Sequence, residues 1–499
     1  MHLTMLLDMA ADGFGDRVVL GPTKPGITGE GLRRRSLSGA DIVRSHDADA
    51  VVYLAVNGAA FPIALFAAAC AGVPLVPLNY RLGREQLAGM LRRHPGALVL
   101  TEDGGHPVVD ELGMPSMSTA EWLSATGLRT PEPAATPDDA VPAVVIYTSG
   151  TTSEPKGVLL RHANLVSYVL GSVEYASAAE TDAALVSVPP YHIAAVANAI
   201  TSLYAGRRVV TLEQFDASQW IETVRREQIT NALVVPTMLA RILDAPGDLS
   251  VPTLRSLAYG GAPMPARVVR KALETWPQLD LVNAYGLTET SSTITVLTPE
   301  DHRTAVASED PFARLRLGSV GRALPGVEIE IRDELGQPVP AGFRGRIHVR
   351  GDQVSAEYAG IGRLVDDDGW FDTRDEGFLD EEGYLFIGGR TDDTIIRGGE
   401  NIAPAEIETV LLRHPDVADV AVVGVPDEEW GQRLVAAVVP RAGEELDVED
   451  VRSFARGILR GSKTPEEIVA WSELPRTETG KLLRREVVRG FEAGAPLPA

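Results

Sequence analysis

Residues Ala50 to Tyr80 run for 31 positions without one charged side chain. A run of that kind must be withdrawn from water, either into a bilayer or into a protein core. Its length alone permits a membrane span. Its punctuation does not: Asn57, Gly58, Pro62, Gly72, Pro74 and Pro77 cut it into a strand at 50–56, a helix at 61–71 and a strand at 73–78. That pattern predicts a βαβ unit buried on both faces. Cys70 falls on the helix and reads as a small core residue. As the only cysteine it excludes an intramolecular disulfide and suits a reducing, cytoplasmic setting. The first 17 residues lack a basic leader and do not read as a signal peptide.

The same grammar continues. Apolar runs at 97–101, 143–149, 184–190 and 207–212 alternate with helical spacing at 217–228 and 265–275, which predicts an α/β fold with largely parallel sheets flanked by helices. From 318 the texture turns Gly-rich and β-like, as in a small β-barrel-like part. After Gly389 a helix, two strands and a helix suggest a compact α+β unit of about 110 residues. The expected division is therefore 1–391 and 392–499. Asp and Glu number 69 against 46 Lys and Arg, a net charge of -23. That balance excludes a broad phosphate-coating surface, and with it nucleic-acid binding, but not one local anion site.

Such a site is suggested by YTSGTTSEPKG at 147–157, a cluster of small and hydroxylated residues after an apolar strand. Exposed amides and hydroxyls at Thr148, Ser149, Gly150, Thr151 and Thr152, with Lys156, form a cradle for phosphate oxygens. A Walker loop is excluded, because Lys156 follows a proline and opens no Gly-Lys-Ser/Thr helix start. Further along stand NAYGLTET at 283–290, GGAPMP at 260–265, PYHIAA at 190–195, WFDTRDEGF at 370–378, GRTDDTIIRGGENIAPAEIE at 389–408 and PRTETGKLLRR at 475–485. Taken singly, each has a plainer reading. Glu289 serves as well as a helix-cap acid, His192 as a core histidine, Asp372 and Asp375 as turn acids, and Lys481 as a solvated lysine.

Taken in their order along the chain, these seven segments resemble the adenylate-forming superfamily of acyl-CoA synthetases, nonribosomal adenylation domains and luciferases, in its acyl-CoA synthetase branch. The resemblance spans 147 to 485. It implies that residues 148–152 and Lys156 hold phosphate, that Gly261, Ala262, Pro263, Asn283, Ala284 and Gly286 border adenine, and that Tyr285 stacks on it. It further implies that Thr288 meets phosphate, Glu289 binds Mg2+, Asp375 takes the ribose hydroxyls and Arg390 a ribose or phosphate group. Lys481 is implied as the catalytic lysine, Asp392 as the hinge of a mobile C-terminal domain, and Gly398, Gly399 and Asn401 as the border of a CoA tunnel. His192 is expected to orient the substrate carboxylate, beside an acyl pocket of Val196, Tyr259, Gly260, Gly261 and Ala284. Arg397 is a further expected donor to the polyanions. Two positions depart from the family pattern, which has glycine where Ser153 and Arg374 stand.

The activity these parts imply is ATP-dependent conversion of a fatty or related apolar acid to acyl-AMP, then to a CoA thioester, with release of pyrophosphate and AMP. Three alternatives stand beside it: an acyl-AMP ligase serving an acyl carrier protein, an amino-acid adenylation enzyme, and a non-catalytic nucleotide-binding regulator. His192 occupies the place where amino-acid-activating members carry an aspartate, which disfavours the second of these.

Overall fold

A computed structural model describes residues 1–128, 140–148, 155–390, 393–397, 400–427, 430–441, 446–477 and 480–492. The chargeless run forms the expected buried unit. Strand Ala50–Leu54 and strand Leu75–Pro77 pair in parallel, joined by helix Ala60–Ala71. All five residues of the first strand are buried, as a parallel strand covered on both faces requires. The helix is Ala-rich, hides every residue but its last, and stops where Gly72 takes a left-handed φ of 76°. Ile63, Leu65 and Phe66 are at most 1% exposed, and each contributes about 1.5–3 kcal/mol by leaving water. Helix Gly29–Ser45 lies against this helix at Gly39, where a Cβ would stand 2.7 Å from that of Ala67 and 2.8 Å from Trp122. Cys70 is 6% exposed, and burial pushes its thiol up to about 12, so it is a core residue. Among the described residues no helix is long and apolar enough to cross a membrane.

The fold is α/β. An eight-stranded sheet has the order Gly362–Arg363, Glu357–Tyr358, Lys156–Arg161, Pro142–Thr148, Leu75–Pro77, Ala50–Leu54, Ala97–Thr101, Ser116–Ser118. A nine-stranded sheet has at its centre the parallel strands Arg208–Thr211, Ala183–Val186, Asn231–Val234, Ser256–Gly260 and Asp280–Leu287. Antiparallel strand Ser292–Leu297 follows on one side. The chain divides into two compact units, one of Met1–Ile329 with Val349–Phe371 and one of Glu330–His348 with Asp372–Ala499.

Most of the Gly-rich segment expected to be barrel-like forms a four-stranded sheet from Glu328–Arg332, Gly345–Arg350, Phe371–Leu379 and Leu385–Arg390. The second unit also holds a three-stranded sheet of Val417–Asp427, Gly431–Pro440 and Glu467–Ala470, with helices Pro404–Leu411, Val448–Arg456 and Arg484–Glu492. Residues 372–390 therefore group by contact with the C-terminal residues, whereas the sequence expectation ended the first domain at 391.

Candidate active site

In sheets with parallel strands, ligands gather at the carboxyl ends, where the loops diverge. Those ends meet in the first unit. Asn57, after strand Ala50–Leu54 of one sheet, donates its Nδ2 to the Val188 carbonyl at 2.7 Å, after strand Ala183–Val186 of the other. Tyr80, after strand Leu75–Pro77, stands edge-on to Tyr191 with centroids 5.7 Å apart. Tyr191 in turn lies 4.7 Å from the ring of His192. His192 is the N-cap of helix Ile193–Ala205, and burial pushes its imidazole down to about 4. It is neutral at physiological pH, able to donate or accept a hydrogen bond but not to act as a cation.

The phosphate-cradle sequence begins and ends in two paired strands. Pro142–Thr148 and Lys156–Arg161 pair antiparallel, with Thr148 opposite Lys156 and Tyr147 opposite Gly157. Ser149, Gly150, Thr151, Thr152 and Ser153 lie outside the described residues. Two residues with no motif of their own grip this strand pair: Arg93 donates to the Pro155 carbonyl at 2.9 Å and lies 5.7 Å from the Tyr147 ring. His94 Nε2 is 2.9 Å from the Tyr147 hydroxyl.

Glu289 sits in a 3-10 turn, Thr288–Thr290, directly after strand Asp280–Leu287. The turn is pinned from several sides. Leu287 N donates to Thr290 Oγ1 at 3.0 Å, and Ser291 N to the Thr288 carbonyl at 3.1 Å. The amides of Ser355 and Ala356 both donate to the Glu289 carbonyl, at 2.9 and 3.0 Å. Ser291, Ser292 and Ala356 take φ of 56°, 109° and 48°. Each costs on the order of 1–3 kcal/mol and persists only where the surroundings over-determine it. Gln353, 3% exposed, supplies part of that constraint by donating to the carbonyls of Thr290 and Thr293 at 3.0 and 2.7 Å. The Glu289 carboxylate accepts from the Tyr358 hydroxyl at 2.8 Å, and among the described residues no arginine or lysine pairs with it. An oriented, half-buried carboxylate that is not neutralised by a protein cation fits a hard divalent ion such as Mg2+.

The remaining adenine and pocket candidates lie along adjacent strand ends, with Gly260 opposite Ala284 and Tyr259 opposite Asn283. Packing already demands two of the glycines. A Cβ on Gly260 would stand 2.1 Å from the Ala284 oxygen, and one on Gly286 1.8 Å from the Ser292 oxygen. Gly261 takes a φ of 82°. Gly261 and Pro263 are exposed and Ala262, Ala284, Tyr285 and Thr288 half-buried, so this rim is accessible. Asn283 spends its Nδ2 on the Ser319 carbonyl at 3.1 Å, and Tyr285 packs on a cluster that includes Ile294, Val349 and Phe371. Val196 and Tyr259 are 0% and 1% exposed; the Tyr259 hydroxyl is 2.8 Å from His302 Nε2, so both belong to the packed core.

In the second unit, Asp375 is 6% exposed and pairs with Arg390 across two antiparallel strands, Oδ1 to Nε at 3.5 Å. The backbone explains why glycine suits position 374: Arg374 adopts a φ of 61°. Asp372 supports that turn by accepting from Arg374 N at 2.8 Å. Lys481 is exposed on a tight loop where Thr477 N donates to the Lys481 carbonyl at 2.8 Å and Gly480 has a φ of 76°. Arg476 anchors the loop, donating to the Gly480 carbonyl at 2.8 Å and holding both oxygens of Asp419 at 2.9 and 2.8 Å. Asp392, Gly398 and Gly399 lie outside the described residues, as does the side chain of Asn401. Arg397, expected to meet a polyanion, instead pairs with Glu466 at 2.6 Å and donates to the Ser462 carbonyl.

Known proteins resemble the chain over most of its length. The family described as AMP-binding enzyme matches residues 7–359, and the AMP-binding enzyme C-terminal domain matches 406–481. The chain is 33% identical over 494 residues to the fatty acid–[acyl-carrier-protein] ligase ScoC of Streptomyces coeruleorubidus, covering 93% of each. It is 34% identical over 459 residues to the indoleacetate–CoA ligase of Aromatoleum aromaticum, covering 88% of this chain and 87% of that one. Its structure resembles the o-succinylbenzoate CoA synthetase MenE of Bacillus subtilis in complex with the acyl-adenylate OSB-AMP, with a TM-score of 0.83, 28% identity and 97% of each chain covered. MenE is also known in complex with ATP and a magnesium ion.

Proposed function

The chain belongs to the AMP-binding enzyme family, and from that premise we propose that it is an AMP-forming acyl-CoA synthetase acting on an apolar carboxylic acid. One observation carries the reading. The base of a hydroxyl-rich loop, with Thr148 and Lys156, and an oriented carboxylate, Glu289, come together through Tyr358 beside the carboxyl ends of the strands. That set suits a triphosphate and a hard cation.

In this reading a carboxylate oxygen of the acid attacks the α-phosphorus of ATP. The bond to pyrophosphate breaks, and an acyl-adenylate forms. The hydroxyls and amides of 148–152, with Lys156 and Thr288, hold phosphate oxygens. Glu289 would hold Mg2+, which when bound offsets charge on the phosphates. Tyr285 and the Gly261–Pro263 turn flank adenine, and Asp375 and Arg390 orient the ribose. Neutral His192 donates to the incoming carboxylate, and Lys481 meets the charge that builds at the α-phosphate. A thiol then attacks the acyl carbon, AMP leaves, and the thioester is released. Gly398, Gly399 and Asn401 border the path of CoA, and rotation of the C-terminal domain about Asp392 exposes it.

The site favours an apolar acid over an amino acid, because Tyr80, Tyr191 and an uncharged His192 supply no carboxylate counter-ion for an ammonium group. The single buried cysteine supports a cytoplasmic setting. A second reading, transfer to an acyl carrier protein, is favoured by the similarity to ScoC. One assay separates the two: a panel of acids with ATP, followed by mass spectrometry for acyl-CoA and for acylated carrier protein. Thioester on CoA supports the first reading, and thioester on the carrier alone the second. No pyrophosphate release with any acid overturns both.

A further inference from the structure

Tyr358 carries no motif that singles it out in the sequence, yet it touches both charged groups of the proposed phosphate site. It belongs to the two-residue strand Glu357–Tyr358, paired antiparallel with Lys156–Arg161 at Val158. Its hydroxyl donates to Glu289 Oε1 at 2.8 Å. The Lys156 Nζ lies 5.9 Å from its ring centroid, within reach of a cation–π contact. The strand itself is held firmly. Glu357 takes two bonds from Arg161, at 2.9 and 2.6 Å. The preceding amides of Ser355 and Ala356 cap the Glu289 carbonyl, and Ser291 Oγ donates to the Gln353 carbonyl at 2.8 Å. The phenol is therefore aimed by its backbone.

A lysine and a glutamate brought close together tend to pair, and each would then be withdrawn from a bound nucleotide. Tyr358 gives them separate partners: its hydroxyl holds the carboxylate, and its ring takes the ammonium. We propose that Tyr358 is a positioning residue, which orients Glu289 toward the metal ion accompanying the nucleotide phosphates and keeps Lys156 from pairing with it. This rests on the reading of Glu289 in the preceding subsection. Groups that orient a metal ligand commonly change metal affinity 10–100-fold when removed.

The test is Y358F, in which phenylalanine keeps the ring and its packing and deletes only the hydroxyl. Mn2+ is titrated into the protein–ATP complex and free Mn2+ is read by electron paramagnetic resonance, with E289Q as the reference. Metal-free ATP binding is measured in parallel by calorimetry. We expect Y358F to weaken Mn2+ binding about tenfold and to leave metal-free ATP binding within about twofold. If E289Q loses Mn2+ affinity while Y358F stays within about twofold of wild type, Tyr358 does not position the ligand and the inference is overturned. If E289Q itself leaves Mn2+ affinity unchanged, the reading of Glu289 fails and the inference falls with it. A Y358L variant, which also removes the ring, should in addition weaken metal-free ATP binding. Equal metal-free binding in Y358L and Y358F would overturn the part assigned to Lys156.

Discussion

Glu289 and Lys481 are presented in opposite ways. Glu289 is half-buried in a turn held by hydrogen bonds from Ser355, Ala356 and Tyr358, beside two consecutive serines in left-handed conformations. Lys481 is exposed, and the nearest anchor in its motif is Arg476, which is held on Asp419. A carboxylate that must hold one orientation toward a metal ion benefits from every constraint. A cation needed in one half-reaction and not in the next benefits from a surface position that a domain rotation can carry. In the proposed mechanism, that difference would separate groups that define the site from a group that visits it.

The largest test of this contrast is Lys481→Ala. It should slow adenylation by about 10²–10³-fold and leave thioester formation from supplied acyl-AMP within a few-fold. Pyrophosphate release and a chase of acyl-AMP with CoA measure the two steps. Equal losses in both would place Lys481 with the fixed groups and break the contrast. Next is Gly286→Ala, which drives a Cβ to 1.8 Å from the Ser292 oxygen. It should cost about 3 kcal/mol or more in denaturant unfolding; a loss below about 1 kcal/mol would show that the turn yields more easily than its constraints imply.

His192 sharpens the comparison through pH. Its folded pKa of about 4 lies below the unfolded value of about 6.5. Between those values the unfolded chain binds the extra proton, so His192's contribution to stability falls as pH drops from about 6.5 toward 4. The slope is at most about 1.4 kcal/mol per pH unit. His192→Asn removes this term, and its stability relative to wild type should improve between pH 7.5 and pH 5, read from urea midpoints. The smallest effect is expected at Arg374→Gly. Relief of the left-handed φ is largely offset by the added freedom of the unfolded chain, leaving a gain of about 0.5–1 kcal/mol or less. A loss above about 1 kcal/mol would mean that the Arg374 side chain has work of its own.

Much of the fold was legible because it is local. The chargeless run, its glycines and its prolines define the βαβ unit, and strand Ala97–Thr101 falls where its apolar run predicted. Motif order pointed to the chemistry for the same reason, since NAYGLTET is one strand end with its turn. The pocket was less legible. Tyr259 and Val196 are adjacent to motif residues in sequence, yet the alternation of a strand and the packing of a helix turn both into the core. Gly260 and Gly286 read as places for a ligand to approach, but neighbouring strands already occupy the space a side chain would need.

By itself, then, the sequence determined the class of fold, the family and the roster of charged groups, because these depend on local periodicity and contiguous motifs. Only the tertiary structure decided which of those groups are constrained and by what. Tyr358 lies 69 residues from Glu289 and His94 lies 53 from Tyr147. Arg476 meets Asp419 across 57. None of these partners shares a motif with the group it holds, because a hydrogen bond or a ring contact depends on proximity in space, and chain separation carries no information about it.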